Sequence, residues 1–250
     1  MAMAVKKISP WSFYVATVIP TWRDLQITQV LARFDEPLVD EVVIVLDEPT
    51  EEMKSRIRQI SKEIISKLTI IENPKRMGIG YAIRQGLLYC KNNGYEVVVI
   101  MAGNGKDDPK EIPRLLKKLE EGYDYVQGSR FLEGGRYDNL PLQRRIFNRL
   151  WPLIWTILTG VKQTEVTNGF RAYRLKILDD PNVNINQEWL NGYALEYYIH
   201  YKALTLGYRY TEVPVSKIYP KKGKYTRINP LKDWHQIILP LFLLKFKIKK

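Results

Sequence analysis

Apolar residues in the first half of the chain fall in short blocks separated by segments of helical period. The blocks at 14–19, 42–46, 68–71, 97–101 and 125–128 are rich in β-branched residues and too short for buried helices. Between them, residues 22–34, 50–66, 79–92 and 109–121 carry helical patterns. Strands alternating with helix-length segments predict parallel βαβ units, crossed right-handedly, with the strand ends gathered on one edge. The pattern changes at about Gly134. From there the basic, proline-started stretch LPLQRRIFNRLWPLIWTILTG predicts an amphipathic helix ending near Gly160. A short strand at 170–173, a tyrosine-rich helix at 187–206 and a strand at 208–215 follow.

The C-terminal stretch LKDWHQIILPLFLLKFKIKK is apolar and basic together. Its longest apolar run, residues 237–244, has eight residues and includes Pro240, whereas a membrane-spanning helix needs about 20. Two readings stay open. The segment lies in a membrane interface with Trp234 and the lysines at headgroup level, or it packs on the protein's own core or on a second subunit as a homo-oligomer.

Composition narrows the classes. A chain of 250 residues, 45% hydrophobic, can bury one large core, and neither a repeat nor a Pro/Gly/Ser linker divides it. The formal net charge of +12 points to an anionic partner: nucleic acid, a membrane surface or a phosphorylated substrate. Nucleic acid ranks last, because RNP-like motifs, zinc-finger spacing and a clear helix-turn-helix are all missing. The single Cys90 excludes an internal disulfide and a four-cysteine zinc site, and reads as a small buried helix residue. His200 and His235 read as structural. Without a long apolar h-region, the N-terminal stretch reads as mature and cytosolic.

The candidate chemistry centres on residues 95–109, YEVVVIMAGNGKDDP, where a buried strand runs into a loop of small, polar and charged residues. In open α/β sheets, ligands bind at the carboxyl ends of strands. Asp108 before Pro109 reads as a helix N-cap. Gly78 and Gly80 form G-x-G, with a third glycine only at Gly86, so the dinucleotide fingerprint is not met. Such glycines either bring backbone amides close to a phosphate or ribose, beside Lys75 and Arg76, or let helix and sheet pack tightly. Arg144 and Asn148, four apart, share one helix face.

In order, VIPTW at 18–22, LDEPT at 46–50, NPKRMGIGYAIRQG at 73–86, DDP at 107–109, GSRF at 128–131 and TNGFRAYR at 167–174 resemble the family 2 glycosyltransferases. Within that family the chain looks most like the dolichyl- or polyprenyl-phosphate sugar transferases, over roughly residues 12–230. The resemblance implies a GT-A fold: an α/β domain over 1–230 with a mostly parallel sheet flanked by helices. Its nucleotide-binding half would span about 12–130 and its acceptor-binding half about 131–230, with 231–250 as the apolar-basic segment. The activity implied is inverting transfer of a sugar from a UDP- or GDP-sugar to a polyprenyl phosphate, peripherally on the cytoplasmic face of a membrane. The alternatives are transfer to a saccharide hydroxyl of a growing glycan, and a non-catalytic nucleotide-sugar-binding protein.

Carried over residue by residue, the resemblance puts Pro20, Thr21 and Trp22 in the base pocket, Trp22 replacing a tyrosine. It gives Asp47 a hydrogen bond to the base, with Leu46 where a second aspartate is usual; read alone, Asp47 is a turn or N-cap residue. Gly78 and Gly80 join the donor site. The family's metal pattern, D-x-D followed by Gln and then D-P, here reads Ala102, Asn104, Lys106, Asp108 and Pro109. Two expectations follow: Lys106 stabilises the departing diphosphate with no metal required, or Asp107 or Asp108 with Asn104 holds the Mg or Mn usual in the family. Acceptor-phosphate residues would be Arg130, Arg144, Asn148 in place of a serine, Arg171, and Arg227 in place of a lysine. Glu165, where the family often has Asp, and Glu196 would position the acceptor or donor sugar. The catalytic set is thus Lys106, Asp107, Arg130 and Glu165. A hydroxyl acceptor would need a carboxylate base, with Asp107, Glu165 or Glu196 as candidates.

Overall fold

The structure, a computed structural model, describes residues 6–221 and 230–250. Five strands come from the expected blocks: β1 (Val15–Thr21), β2 (Glu41–Asp47), β3 (Lys67–Asn73), β4 (Val97–Ile100) and β5 (Tyr125–Ser129). With β7 (Arg171–Arg174) and β8 (Tyr210–Pro214) they form one sheet in the order β3-β2-β1-β4-β7-β5-β8. The first four are mutually parallel, and β5 is parallel to β8. β7 runs antiparallel between β4 and β5, pairing Val99 with Ala172 and Val126 with Ala172. The reversal has a simple cause. After β5 the chain stays at the strands' carboxyl edge, forming β6 (Arg136–Asp138) and α5 (Leu142–Thr159), so the next strand enters the sheet from that edge.

Side-chain alternation along the strands feeds two apolar layers. Val15, Ile19, Val42 and Ile44 face α1 (Ile27–Leu31), α2 (Glu51–Ile60) and α4 (Ile112–Glu120). Ala16, Val18, Val43 and Val45 face α3 (Ile79–Asn92) and α6 (Ala194–Thr205). Gly86 permits the close seating of α3, since a Cβ there would overlap the Val18 side chain.

Some expected elements are shorter than their patterns. The helix expected over 22–34 is only α1, because Arg23 adopts φ 44° and the Asp24 carboxylate accepts the Gln26 N–H, which makes a turn of the first residues. The tyrosine-rich helix is broken into a 3-10 turn at Glu188–Leu190 and α6, with Gly192 between them. A two-stranded ribbon was not expected: β6 pairs in parallel with β9 (Ser216–Ile218) and lies over the strand ends.

The C-terminal segment is a helix, α7 (Pro230–Lys245). It packs on the protein's own core: Ile237 and Leu241 are buried with Trp151 and Trp155, in a cluster that joins α5, α6 and α7. Burying such a side chain fully is worth about 1.5–3 kcal/mol. Among the described residues no helix is long and apolar enough to cross a membrane.

Candidate functional site

A cavity of about 900 Å³ opens at the carboxyl ends of β1, β2, β4 and β5, where the loop 102–106 also lies. At one end, Pro20, Thr21 and Trp22 project from the end of β1. The Arg76 guanidinium stacks 3.9 Å from the centre of the Trp22 ring, and the Trp22 indole N–H donates to Glu48 at 3.1 Å. Asp47 lines the same end, but its carboxylate is engaged by backbone. It accepts N–H bonds from Met77 and Gly78, both at 2.9 Å, and the Asn73 amide at 3.3 Å. These bonds fasten the turn that carries Arg76 to the end of β2.

Of the two glycines, only Gly78 lines the cavity. It has φ 103°, and a Cβ there would overlap the Asn191 carbonyl. Gly80 instead brings α3 against the backbone at 190–192, so its role is close packing.

Ala102, Asn104 and Lys106 line the middle of the cavity. Asn104 Oδ1 accepts the Lys106 N–H at 3.3 Å, and the Lys106 carbonyl accepts from Ile218 N at 3.0 Å, which fastens the loop to β9. The Lys106 ammonium is 5.3 Å from the centre of the Tyr219 ring. The two neighbouring aspartates part company. Asp108 is the expected cap, accepting the Lys110 N–H at 3.2 Å with its side chain 44% exposed. Asp107 is fully buried, with Oδ1 2.6 Å from the Lys217 ammonium; its Oδ2 has no hydrogen-bond partner among the described residues. Lys217 also donates to Asn168 Oδ1 at 2.8 Å.

The far wall combines β5, α5 and the ribbon. Arg130 is buried at the wall, donating to Glu165 at 2.6 Å, the Tyr219 hydroxyl at 2.6 Å and Thr167 Oγ1 at 2.8 Å. Burial works against its charge, yet Glu165, Tyr219 and Asp107 together raise its pKa above the ordinary arginine value. Glu165 does not line the cavity. Its Oε1 accepts from Thr167 N at 2.8 Å and Thr167 Oγ1 at 2.9 Å, so it anchors both Arg130 and the loop beside it. Arg171 also lies behind the wall, donating to the Tyr125 hydroxyl at 2.9 Å and the Asn168 carbonyl at 2.7 Å, with Glu196 at 3.5 Å. It is therefore an internal brace, and Glu196 is its counter-ion. Arg227 lies outside the described residues.

Arg144 and Asn148 line the cavity from α5. Arg144 Nη2 and Asn148 Oδ1 are buried polar atoms without a hydrogen-bond partner among the described residues. Such atoms are costly unless a ligand or water completes them. On the opposite side of the same helix, Leu142, Ile146, Leu150, Leu153 and Ile157 are exposed, Ile157 to 78%.

Several lining residues escaped the sequence reading: Lys217 and Tyr219 on the ribbon, and Asp233 and Gln236 on α7. For the first two a signal existed. Val213, Val215, Lys217 and Tyr219 alternate, and all four are buried, so a lysine falls in the buried phase of a strand pattern. Gln236 accepts the Tyr193 N–H at 3.0 Å and so fastens α7 to the cavity rim.

The model of glycosyl transferase family 2 matches residues 26–180. An undecaprenyl-phosphate mannosyltransferase from Micrococcus luteus is 26% identical over 211 residues, covering 84% of this chain and 86% of its own length. A polyprenol monophosphomannose synthase from Mycolicibacterium smegmatis is 24% identical over 201 residues, covering 80% and 75%. Among solved structures, the glucosyl-3-phosphoglycerate synthase of Mycobacterium tuberculosis, in complex with Mn2+, UDP-glucose and phosphoglyceric acid, superposes with TM-score 0.65 at 16% identity. That match covers 96% of this chain and 82% of the other.

Proposed function

Because the chain belongs to glycosyl transferase family 2 and has the GT-A fold, we propose that this glycosyltransferase moves a sugar from a UDP- or GDP-sugar to a polyprenyl phosphate. It works peripherally on the cytoplasmic face of a membrane. One relative is named an undecaprenyl-phosphate mannosyltransferase and another a polyprenol monophosphomannose synthase. The observation that carries the reading is the position of α5. Its inner face offers Arg144 and Asn148 with polar atoms that have no partner among the described residues, and its outer face offers exposed leucine and isoleucine beside Arg145 and Arg149. A lipid carrying a phosphate needs both: an apolar surface for the chain and donors for the head.

The donor enters with its base toward Trp22 and Asp47 and its diphosphate toward the 102–106 loop. An oxygen of the acceptor phosphate attacks the anomeric carbon as the bond to the diphosphate oxygen breaks, and the electron pair leaves with the diphosphate. No proton has to be removed, since the acceptor is already an anion; orientation does most of the work. Attack opposite the leaving group inverts the anomeric centre. Lys106 faces the charge that develops on the diphosphate.

The experiment presents labelled GDP-mannose, and in parallel UDP-glucose, with polyprenyl phosphate in anionic vesicles. The expected result is label that becomes organic-extractable and mild-acid-labile. Label recovered on saccharide, or left entirely on the nucleotide with both donors, overturns the reading.

A further inference from the structure

Lys217 takes no part in the reaction as sketched so far, yet its ammonium is nearly buried and lines the cavity. A solved structure of the same fold is a complex with Mn2+ and UDP-glucose, and hard divalent ions take carboxylate oxygens. The residues of the 102–108 loop do not fit such an ion. Ala102 has no ligand to give, Lys106 is a cation, and the Asn104 amide oxygen already accepts the Lys106 N–H. Asp108 is turned outward as a cap. Asp107, the one buried carboxylate of the loop, faces the Lys217 ammonium at 2.6 Å, where a divalent cation would meet a like charge. Among the described residues no three of His, Cys, Asp or Glu come together as metal ligands.

We propose that the Lys217 ammonium, held by Asp107 and Asn168, is the fixed charge that binds the donor's diphosphate in place of a divalent ion. An ammonium has three donors. Two are taken by Asp107 at 2.6 Å and Asn168 at 2.8 Å, which fixes its direction and leaves the third for the cavity. The Asp107 carboxylate offsets the cost of burying the charge. The bond from Ile218 N to the Lys106 carbonyl sets β9 beside the loop, so the two lysines belong to adjoining segments of one wall. Lys217 and Lys106 together then receive the negative charge that the diphosphate gains as the sugar leaves. Asp107 acts through Lys217 and is a positioning residue. The inference rests on the donor reading above, and its test separates the two.

Calorimetric titration compares UDP with UMP and GDP with GMP, first in EDTA and then with Mn2+ added. In EDTA one diphosphate should bind the wild-type protein more tightly than its monophosphate, and Mn2+ should change that by less than about twofold. Lys217→Met should lower diphosphate affinity about tenfold to a hundredfold, the size of one charge-assisted hydrogen bond, while monophosphate affinity holds. Asp107→Asn should give the same selective loss, and Lys217→Arg should retain most of the preference. Diphosphate binding that requires Mn2+ in the wild type overturns the inference and leaves the donor reading standing. So does equal loss of mono- and diphosphate affinity in a folded Lys217→Met. If Lys217→Met does not fold, the wild-type metal titration and Lys217→Arg decide. Failure of all four nucleotides to bind removes the donor reading, and this inference with it.

Discussion

The carboxylate of Asp47 accepts the backbone N–H groups of Met77 and Gly78, each at 2.9 Å, across the gap between the second strand and the third helix. This clasp holds the turn on which Arg76 stacks over Trp22. Asp47→Ala should release the turn and weaken nucleotide binding about tenfold or more, since each lost charged hydrogen bond costs about 1.5–3 kcal/mol. Calorimetry with the preferred nucleotide checks it. Unchanged affinity in a folded variant would remove this end of the cavity from the donor site.

Arg130 and Glu165 form a buried pair whose breakage leaves an uncompensated charge. Glu165→Leu should destabilise the protein by about 3–5 kcal/mol, whereas the double variant Arg130→Met with Glu165→Leu should recover much of that stability. Recovery of fold without recovery of transfer would give the pair a role in the reaction beyond stability. A double variant with wild-type turnover would make the pair purely structural.

The exposed stripe on α5 predicts the membrane contact. Leu150→Glu with Ile157→Glu should lower binding to anionic vesicles about tenfold or more, since each buried apolar side chain contributes about 1.5–3 kcal/mol. Affinity for soluble nucleotide should stay unchanged, which flotation and calorimetry together measure. Equal vesicle binding would exclude α5 as the contact. Truncation is a poor substitute for these variants. Removing α7 strips the cover from Trp151 and Trp155 and takes Asp233 and Gln236 out of the cavity wall.

His200 supplies a pH dependence of stability. It is fully buried, bonded to Gln163, and burial first, then Arg171, holds its pKa well below 6.5. The folded state therefore stays unprotonated where the unfolded chain takes up a proton. Stability should fall as pH drops below about 6.5, by up to about 1.4 kcal/mol per unit from this residue. Glu111 and Glu212, raised by burial, work in the opposite direction, because their folded forms hold protons above the unfolded carboxylate range. Denaturant melts between pH 7 and pH 5.5 should show the decline, and His200→Gln should flatten it. An unaltered slope in that variant would assign the decline to other groups.

Much of this was legible in the chain. The β-branched blocks of β1, β2, β4 and β5 are legible because each is buried on both faces, which leaves a continuous apolar run, whereas β3, at the sheet edge, is only half-buried. The 102–106 loop is legible because it leaves such a run directly. What stayed hidden depends on contacts between distant segments. The antiparallel β7 follows from where α5 returns the chain, and nothing within 171–174 records it. Arg171 and Arg130 look alike in sequence, yet one faces the cavity and the other braces the Asn168 carbonyl and the Tyr125 hydroxyl. Lys217 was passed over because a lysine in a strand ordinarily faces water; its phase with Val213 and Val215 was the clue.

The central claim, transfer to a lipid phosphate, is tested most directly by the structure of the product. Phosphorus and proton NMR of the lipid fraction, after reaction with a donor that is turned over, should show the acceptor's phosphate monoester converted to a phosphodiester. The sugar's anomeric configuration should be opposite to the donor's. An unchanged monoester, with the sugar transferred to a hydroxyl instead, contradicts the account.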